Sequence, residues 1–214
     1  MKIFVAAGHG NKDSGSLALN TTERDELIKI VDKAVENLML FIKPPHQLIK
    51  VPSDLALLET VKYINERTGV NDNAICVEYH LNSNQGTPGT GTETYYGFQK
   101  LAAVLHRSAI DVLKLTDRGV KTGNHIYFNN MTVPPSALVE LGFINNPVDL
   151  QAVREKGALA IEAGIKAYMA ANQTATPMPQ PPSEDYKKMY EEMEQENNRL
   201  YEILQKIEQY VNSV

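Results

Sequence analysis

Four residues of this 214-residue chain carry side chains suited to hydrolysis and sit where an alternating strand and helix pattern would gather them: His9, Glu23, His80 and Glu140. His9 lies between glycines in Gly8-His9-Gly10, directly after the apolar run Ile3 to Ala7. His80 follows the apolar run Ala74 to Tyr79, and Glu140 interrupts Ala137, Leu138, Val139 and Leu141, a run bounded by Pro135 and Gly142. A carboxylate in such surroundings is costly unless it is paired, bound to a metal, or free to take up a proton. Two imidazoles and one carboxylate would leave the fourth position of a zinc ion open to water, and a further carboxylate could take that water's proton. No compact motif such as His-Glu-x-x-His links these residues. Spacing alone therefore leaves a structural ion pair as the competing reading of Glu140, and an acid complementing a helix dipole as that of Glu23.

The elements that must position them read as an α/β chain, a mostly parallel sheet flanked by helices on both faces, with a C-terminal coiled-coil helix. Ile3 to Ala7 is the first strand, presenting His9 at its carboxyl end, where open α/β sheets bind ligands. Thr21 or Thr22 caps a helix with Glu23, Asp25 and Glu26 in its first turn and Leu27, Val31, Ala34, Leu38 and Phe41 as its core stripe. Pro44-Pro45 ends it. Gln47 to Val51 is a short strand, and a helix begun at Ser53 or Asp54 carries Leu55, Leu58, Val61 and Ile64. Ala74 to Tyr79 then delivers His80 at its end, and parallel adjacency of the two strands would set His80 beside His9. A Gly-rich loop over 85–91 borders the site, Thr92 to Tyr96 has strand composition, and a helix runs from Gln99 to Leu115. Asp117 to Lys121 turns the chain toward His125 and the strand bearing Glu140, and helices from Asn146-Pro147 to Ala171 close the domain. His46, His106 and His125 read as surface or locally hydrogen-bonded residues, and Cys76 as a small buried one.

Composition narrows the classes. With 43% hydrophobic residues the chain can bury one substantial core, and a net charge of -5 argues against nucleic acid as a partner. One cysteine excludes an internal disulfide framework and a cysteine-cluster metal site. No apolar stretch has the length of a membrane span or the form of a signal peptide, so the expectation is a protein without membrane insertion, made and kept soluble in the cytoplasm. Residues 173–183 form a Pro-rich linker. Beyond it, over 184–214, Tyr186, Tyr190, Met193, Asn197, Leu200, Leu204, Ile207 and Val211 recur at spacings of four and three. That heptad seam predicts a homodimer through residues 186–211, with Asn197 setting the register.

Several motifs, in order, resemble those of one family. They are Gly8-His9-Gly10 with Asp13-Ser14-Gly15, Glu23-Arg24-Asp25, His80-Leu81-Asn82, Gly91-Thr92-Glu93-Thr94-Tyr95-Tyr96, Arg118-Gly119-Val120-Lys121, and Leu138-Val139-Glu140-Leu141-Gly142-Phe143-Ile144-Asn145-Asn146-Pro147. The set is similar to the zinc-dependent N-acetylmuramoyl-L-alanine amidases of the Amidase_3 type. The resemblance implies a catalytic domain over 1–172 in which His9, Glu23 and His80 bind Zn2+ and Glu140 is the catalytic glutamate. It implies peptidoglycan as substrate, cut between N-acetylmuramic acid and L-alanine, with Asn82 and the loop after it helping to position the peptide. A phage endolysin held in the host cytoplasm until release would account for the missing export segment. A sporulation or autolytic amidase, or a zinc peptidase acting on another stem-peptide bond, are the alternatives. One position departs from the pattern: Ala6 stands where the family commonly has an aspartate, two residues before Gly8-His9-Gly10.

Overall fold

The computed structural model describes residues 1–69 and 72–172; the expected linker at 173–183 and coiled-coil helix at 184–214, with its pairing through 186–211, lie outside the described residues. In chain order the elements are β1 (Lys2–Ala7), β2 (Leu17–Ala18), β3 (Thr21–Thr22), α1 (Glu23–Phe41), β4 (Gln47–Lys50), α2 (Leu57–Asn65) and β5 (Ala74–Asn82). They continue as β6 (Thr92–Tyr96), α3 (Gln99–Leu113), β7 (Asp117–Thr122), α4 (Tyr127–Met131), β8 (Ser136–Phe143) and α5 (Pro147–Asn172). Six strands form one sheet in the order β4-β1-β5-β8-β6-β7, and β2 and β3 pair as a small hairpin. All neighbours in the large sheet run parallel except β6 and β8, which are antiparallel.

Alternation along the strands divides the chemistry between two faces. Ile3, Val5, Ile75, Val77, Tyr79, Leu81, Ala137, Val139 and Leu141 project into the main core against Leu27 and Val31 of α1, Leu101 and Leu105 of α3, and Val153 and Ile161 of α5. The positions between them share the opposite face, because Phe4 pairs with Cys76, Ala6 with Glu78, Glu78 with Leu138, and His80 with Glu140. Beside β8, α4 packs with α2, and Asn65 ties the two together: its amide donates to the Met131 carbonyl and accepts from the Val133 N–H. Cys76 is fully buried there, and burial pushes its thiol well above the ordinary range, as expected for an inert structural cysteine.

Several element boundaries differ from the sequence expectations. α2 starts at Leu57 because the carbonyls of Ser53 and Leu55 pack against Gly10, while the Glu59 carboxylate accepts the Ala56 N–H to begin the helix there. β5 runs on through His80 to Asn82, so His80 is a strand residue near the end and not the residue after it. Residues 117–122 are a strand where a turn was expected, drawn into the sheet by parallel pairing with β6. α3 stops at Leu113, with Lys114 in the left-handed region as its cap, and a single helix, α5, replaces the expected closing helices. The cap on α1 is Thr22, whose hydroxyl accepts from the Asp25 N–H.

Helices α1 and α5 are joined by a buried carboxylate. Glu26 accepts from Arg154 through Nε at 2.9 Å and Nη2 at 2.8 Å, and from the Thr21 hydroxyl at 2.7 Å. The Arg154 hydrogen bonds outweigh the cost of burial and hold Glu26 down at about 2, against an ordinary 4.5. A folded-state value below the unfolded one contributes stability above the unfolded value, lost as pH falls through the folded one. Glu26→Gln should therefore destabilise the neutral protein by about 1–2 kcal/mol in urea melts, the half-exposed Arg154 limiting the effect. The gap to the parent should close between about pH 4.5 and pH 2.

Candidate metal centre

The first imidazole is delivered on a strained, crowded turn. His9 leaves β1 with φ 63°, a conformation that costs a non-glycine residue on the order of 1 kcal/mol and more. The glycines around it give space: a Cβ at Gly8 would stand 2.3 Å from His80 Cε1, and one at Gly15 would stand 2.5 Å from His9 Cδ2 and 2.8 Å from Glu23 Oε2. The turn is pinned by Asp13, which meets His9 Nδ1 at 2.8 Å through one oxygen and accepts the Gly15 N–H at 2.9 Å through the other. That contact assigns the His9 proton to Nδ1 and leaves Nε2 facing inward.

Glu23, the first residue of α1, reaches the carboxyl end of the sheet. Its Oε1 lies 3.0 Å from His9 Nε2, 3.0 Å from His80 Nδ1 and 3.0 Å from the Leu81 N–H, while Oε2 accepts the Ser16 N–H at 3.1 Å. The two rings meet edge to face with centroids 4.9 Å apart. One ligand atom from each of His9, Glu23 and His80 falls within 4.8 Å of the others, which is the spacing and donor chemistry of a site able to hold a metal ion. Glu23 is 3% exposed, yet the hydrogen bonds from His80 and His9 overcome its burial and keep it ionised far below the ordinary carboxylate range. Burial opposes a charge on the two rings as well, but Glu23 raises both, and Glu78 and Glu140 add to the rise at His80, which goes well above the ordinary range.

Glu140 stands beside this cluster on the same face, paired with His80 on β5 and with Glu93 on β6. Its Oε2 is enclosed without a hydrogen-bond partner, and burial, reinforced by Glu23 and Glu93, lifts the carboxyl to about 7. Two further buried acids, Glu93 and Asp149, are not among the candidates that the sequence gives. Glu93, 2% exposed, accepts from Arg118 Nε at 2.7 Å, Lys121 Nζ at 2.5 Å, the Tyr95 hydroxyl at 3.0 Å and the Asn82 amide at 2.7 Å. Asn82 also accepts the Ser83 N–H, so both ends of its amide are engaged by the protein. Asp149, fully buried, receives the Thr90 hydroxyl and the Gly91 and Phe143 N–H groups, tying the Gly-rich loop to the end of β8. His106 is buried between Thr94 and Asp117, and His125 is exposed against the Tyr95 ring; neither reaches the cluster.

The sequence profile described as N-acetylmuramoyl-L-alanine amidase (Amidase_3) matches residues 3–170. Among similar chains, protein YqiI of Bacillus subtilis is 29% identical over 78% of this chain and 84% of its own length. The N-acetylmuramoyl-L-alanine amidase LytC of Bacillus subtilis is 30% identical over 78% of this chain, which spans only 35% of LytC. The endolysin of Bacillus phage SPP1 is 29% identical over 67% of this chain and 55% of its own. The solved catalytic domain of CwlV, an N-acetylmuramoyl-L-alanine amidase from Bacillus (Paenibacillus) polymyxa, matches with a TM-score of 0.68 at 28% identity, covering 79% of this chain and 99% of that one.

Metal ions compete with protons for imidazole nitrogens, and the folded-state affinity of both rings for protons is raised here. Adding a divalent cation to chelator-treated protein at neutral pH should release protons, read by calorimetry in two buffers of different ionisation heat. The apparent affinity should fall as pH is lowered.

Proposed function

The chain belongs to the N-acetylmuramoyl-L-alanine amidase family through residues 3–170, and we propose that it hydrolyses peptidoglycan with His9, Glu23 and His80 as zinc ligands and Glu140 as the catalytic base. The bond is the amide between the lactyl group of N-acetylmuramic acid and the L-alanine of the stem peptide. The observation that carries this reading is the convergence of two imidazoles and a carboxylate beside a second, unpartnered carboxylate on one sheet face. Zinc held there would supply a positive charge that polarises the scissile carbonyl, acidifies a water and steadies the developing oxyanion.

Glu140 takes one proton from the attacking water as its oxygen bonds to the carbonyl carbon, then passes that proton to the amide nitrogen as the C–N bond breaks. The products are a lactyl carboxylate and a stem peptide with a free L-alanine amine. A carboxyl near 7 suits both halves of this exchange, since it can hold the proton and surrender it. Asp13, by holding Nδ1 of His9, would leave Nε2 free to serve as the ligand atom. Asn82, whose amide donates to Glu93 from the strand that carries His80, helps to position the peptide. The SPP1 endolysin supports phage lysis as the setting of this activity, and LytC supports a bacterial one. Heptad spacing over residues 186–211 supports pairing of two chains, and sedimentation of the full chain should give a dimer.

Digestion of purified peptidoglycan should release stem peptides beginning at L-alanine, identified by mass; a chelator should abolish release and zinc restore it. Peptides cut at another bond would replace the amidase reading with that of a peptidase. Glu140→Gln should lower kcat by about 10²–10⁴-fold while zinc content stays that of the parent. Because the base must be ionised, kcat/KM of the parent should fall as pH drops below about 7, or lower where bound zinc stabilises the carboxylate. Retained activity in Glu140→Gln would remove this residue from the mechanism.

A further inference from the structure

Ala6 leaves one imidazole without the carboxylate that the family motif leads one to expect on β1. Its register partner on β5 is Glu78, and side chains of register partners in parallel strands leave the same face, as do residues two apart along one strand. Ala6, Gly8, Glu78 and His80 therefore share a face. The close approach of a Gly8 Cβ to three atoms of the His80 ring, 2.3 to 2.6 Å, bears this out.

Glu78 is 4% exposed, and no lysine or arginine lies within 4 Å of its carboxylate among the described residues. The charged group beside it is His80, with Nε2 3.3 Å from Oε2. Among the described residues Nε2 makes no well-formed hydrogen bond. The carboxylate has room to align, because Glu78 borders a cavity of about 150 Å³ that also touches His9, Asp13, His80, Thr60 and Phe128. A buried carboxylate facing an unpartnered ring nitrogen, on the side of the ring opposite Glu23, has the geometry of a histidine-orienting acid.

We infer that Glu78 is the positioning residue for His80, accepting its Nε2–H from β5 and thereby turning Nδ1 toward the metal, in place of the aspartate absent from β1. Asp13 holds the same relation to His9 from the opposite nitrogen. The inference rests on the zinc reading given above.

The test measures zinc affinity of the full chain by competition with a chromophoric chelator, together with the visible spectrum of the cobalt-loaded protein. Glu78→Ala should weaken zinc binding by about 10–100-fold and alter the cobalt bands. Glu78→Gln, which keeps the volume and a neutral acceptor, should lose less, and it reports on the proposal should the alanine variant fold poorly. Adding Ala6→Asp to Glu78→Ala should recover most of the lost affinity and the parental spectrum, which no packing role of Glu78 would produce. Parental affinity in both folded Glu78 variants, or a loss that Ala6→Asp leaves untouched, would overturn the inference. A parent chain that binds no zinc would instead overturn the zinc reading and this inference with it.

Discussion

The register among β1, β5 and β8 is the constraint on which the rest of the molecule depends. Side chains alternate with a period of two, so a slip of one residue would exchange the apolar core with the reactive face. In the observed register His80 and Glu140 are partners, Ala6 and Glu78 are partners, and Glu93 faces Glu140 from β6. The reactive face thus carries several buried carboxylates, which burial alone would drive toward neutrality. Glu23 is answered by two rings and two backbone N–H groups, and Glu93 by Arg118 and Lys121. Among the described residues Glu140 has an orphaned oxygen and no lysine or arginine partner, and it is the carboxyl lifted to about 7. Uneven compensation separates Glu140, which can exchange a proton, from Glu23 and Glu93, which are held below the ordinary carboxylate range.

Much of this was legible in the chain. Apolar runs of strand length ending in histidine marked β1 and β5, and Glu140 stood out because it breaks such a run. Glu23 was not distinguishable locally: an acid in the first turn of a helix is explained by the dipole, and its decisive partner, His80, is 57 residues away. The ordered family motifs supplied what local physics could not. Glu78 also interrupts an apolar run, yet nothing local assigns it a role, because on a sheet covered on both faces the alternation that assigns a side disappears. Glu93 lay within a quoted motif, but the cations that hold it come from 25 and 28 residues further on. β7 has too few apolar residues to announce a strand and takes its conformation from pairing with β6.

Placement of the reactive groups follows a division between rigid and adjustable backbone. Glu78, His80, Glu93 and Glu140 are all strand residues, and Glu23 opens a long helix. His9 alone sits on a turn, and that turn is fixed by Asp13, by the Asp13 N–H to the Gly10 carbonyl, and by Arg24 donating to the Asn11 carbonyl. Groups anchored in this way hold their geometry before any substrate arrives, which is the condition for electrostatic stabilisation without reorganisation.

Strand β7 has a second consequence. Among the described residues it is the outermost strand on its side of the large sheet, and the unpaired backbone N–H and C=O groups of an edge strand invite another chain to add a strand. Here it is six residues long, with Asp117, Arg118 and Lys121 along it and Gly119 at φ 85° breaking its regularity. Charged side chains and irregular backbone are the usual defences of such an edge. The cations that neutralise Glu93 beside the site thus also protect the open side of the sheet from intermolecular strand pairing. Replacing them with apolar residues would expose the fold to aggregation as well as disturbing the carboxylates within.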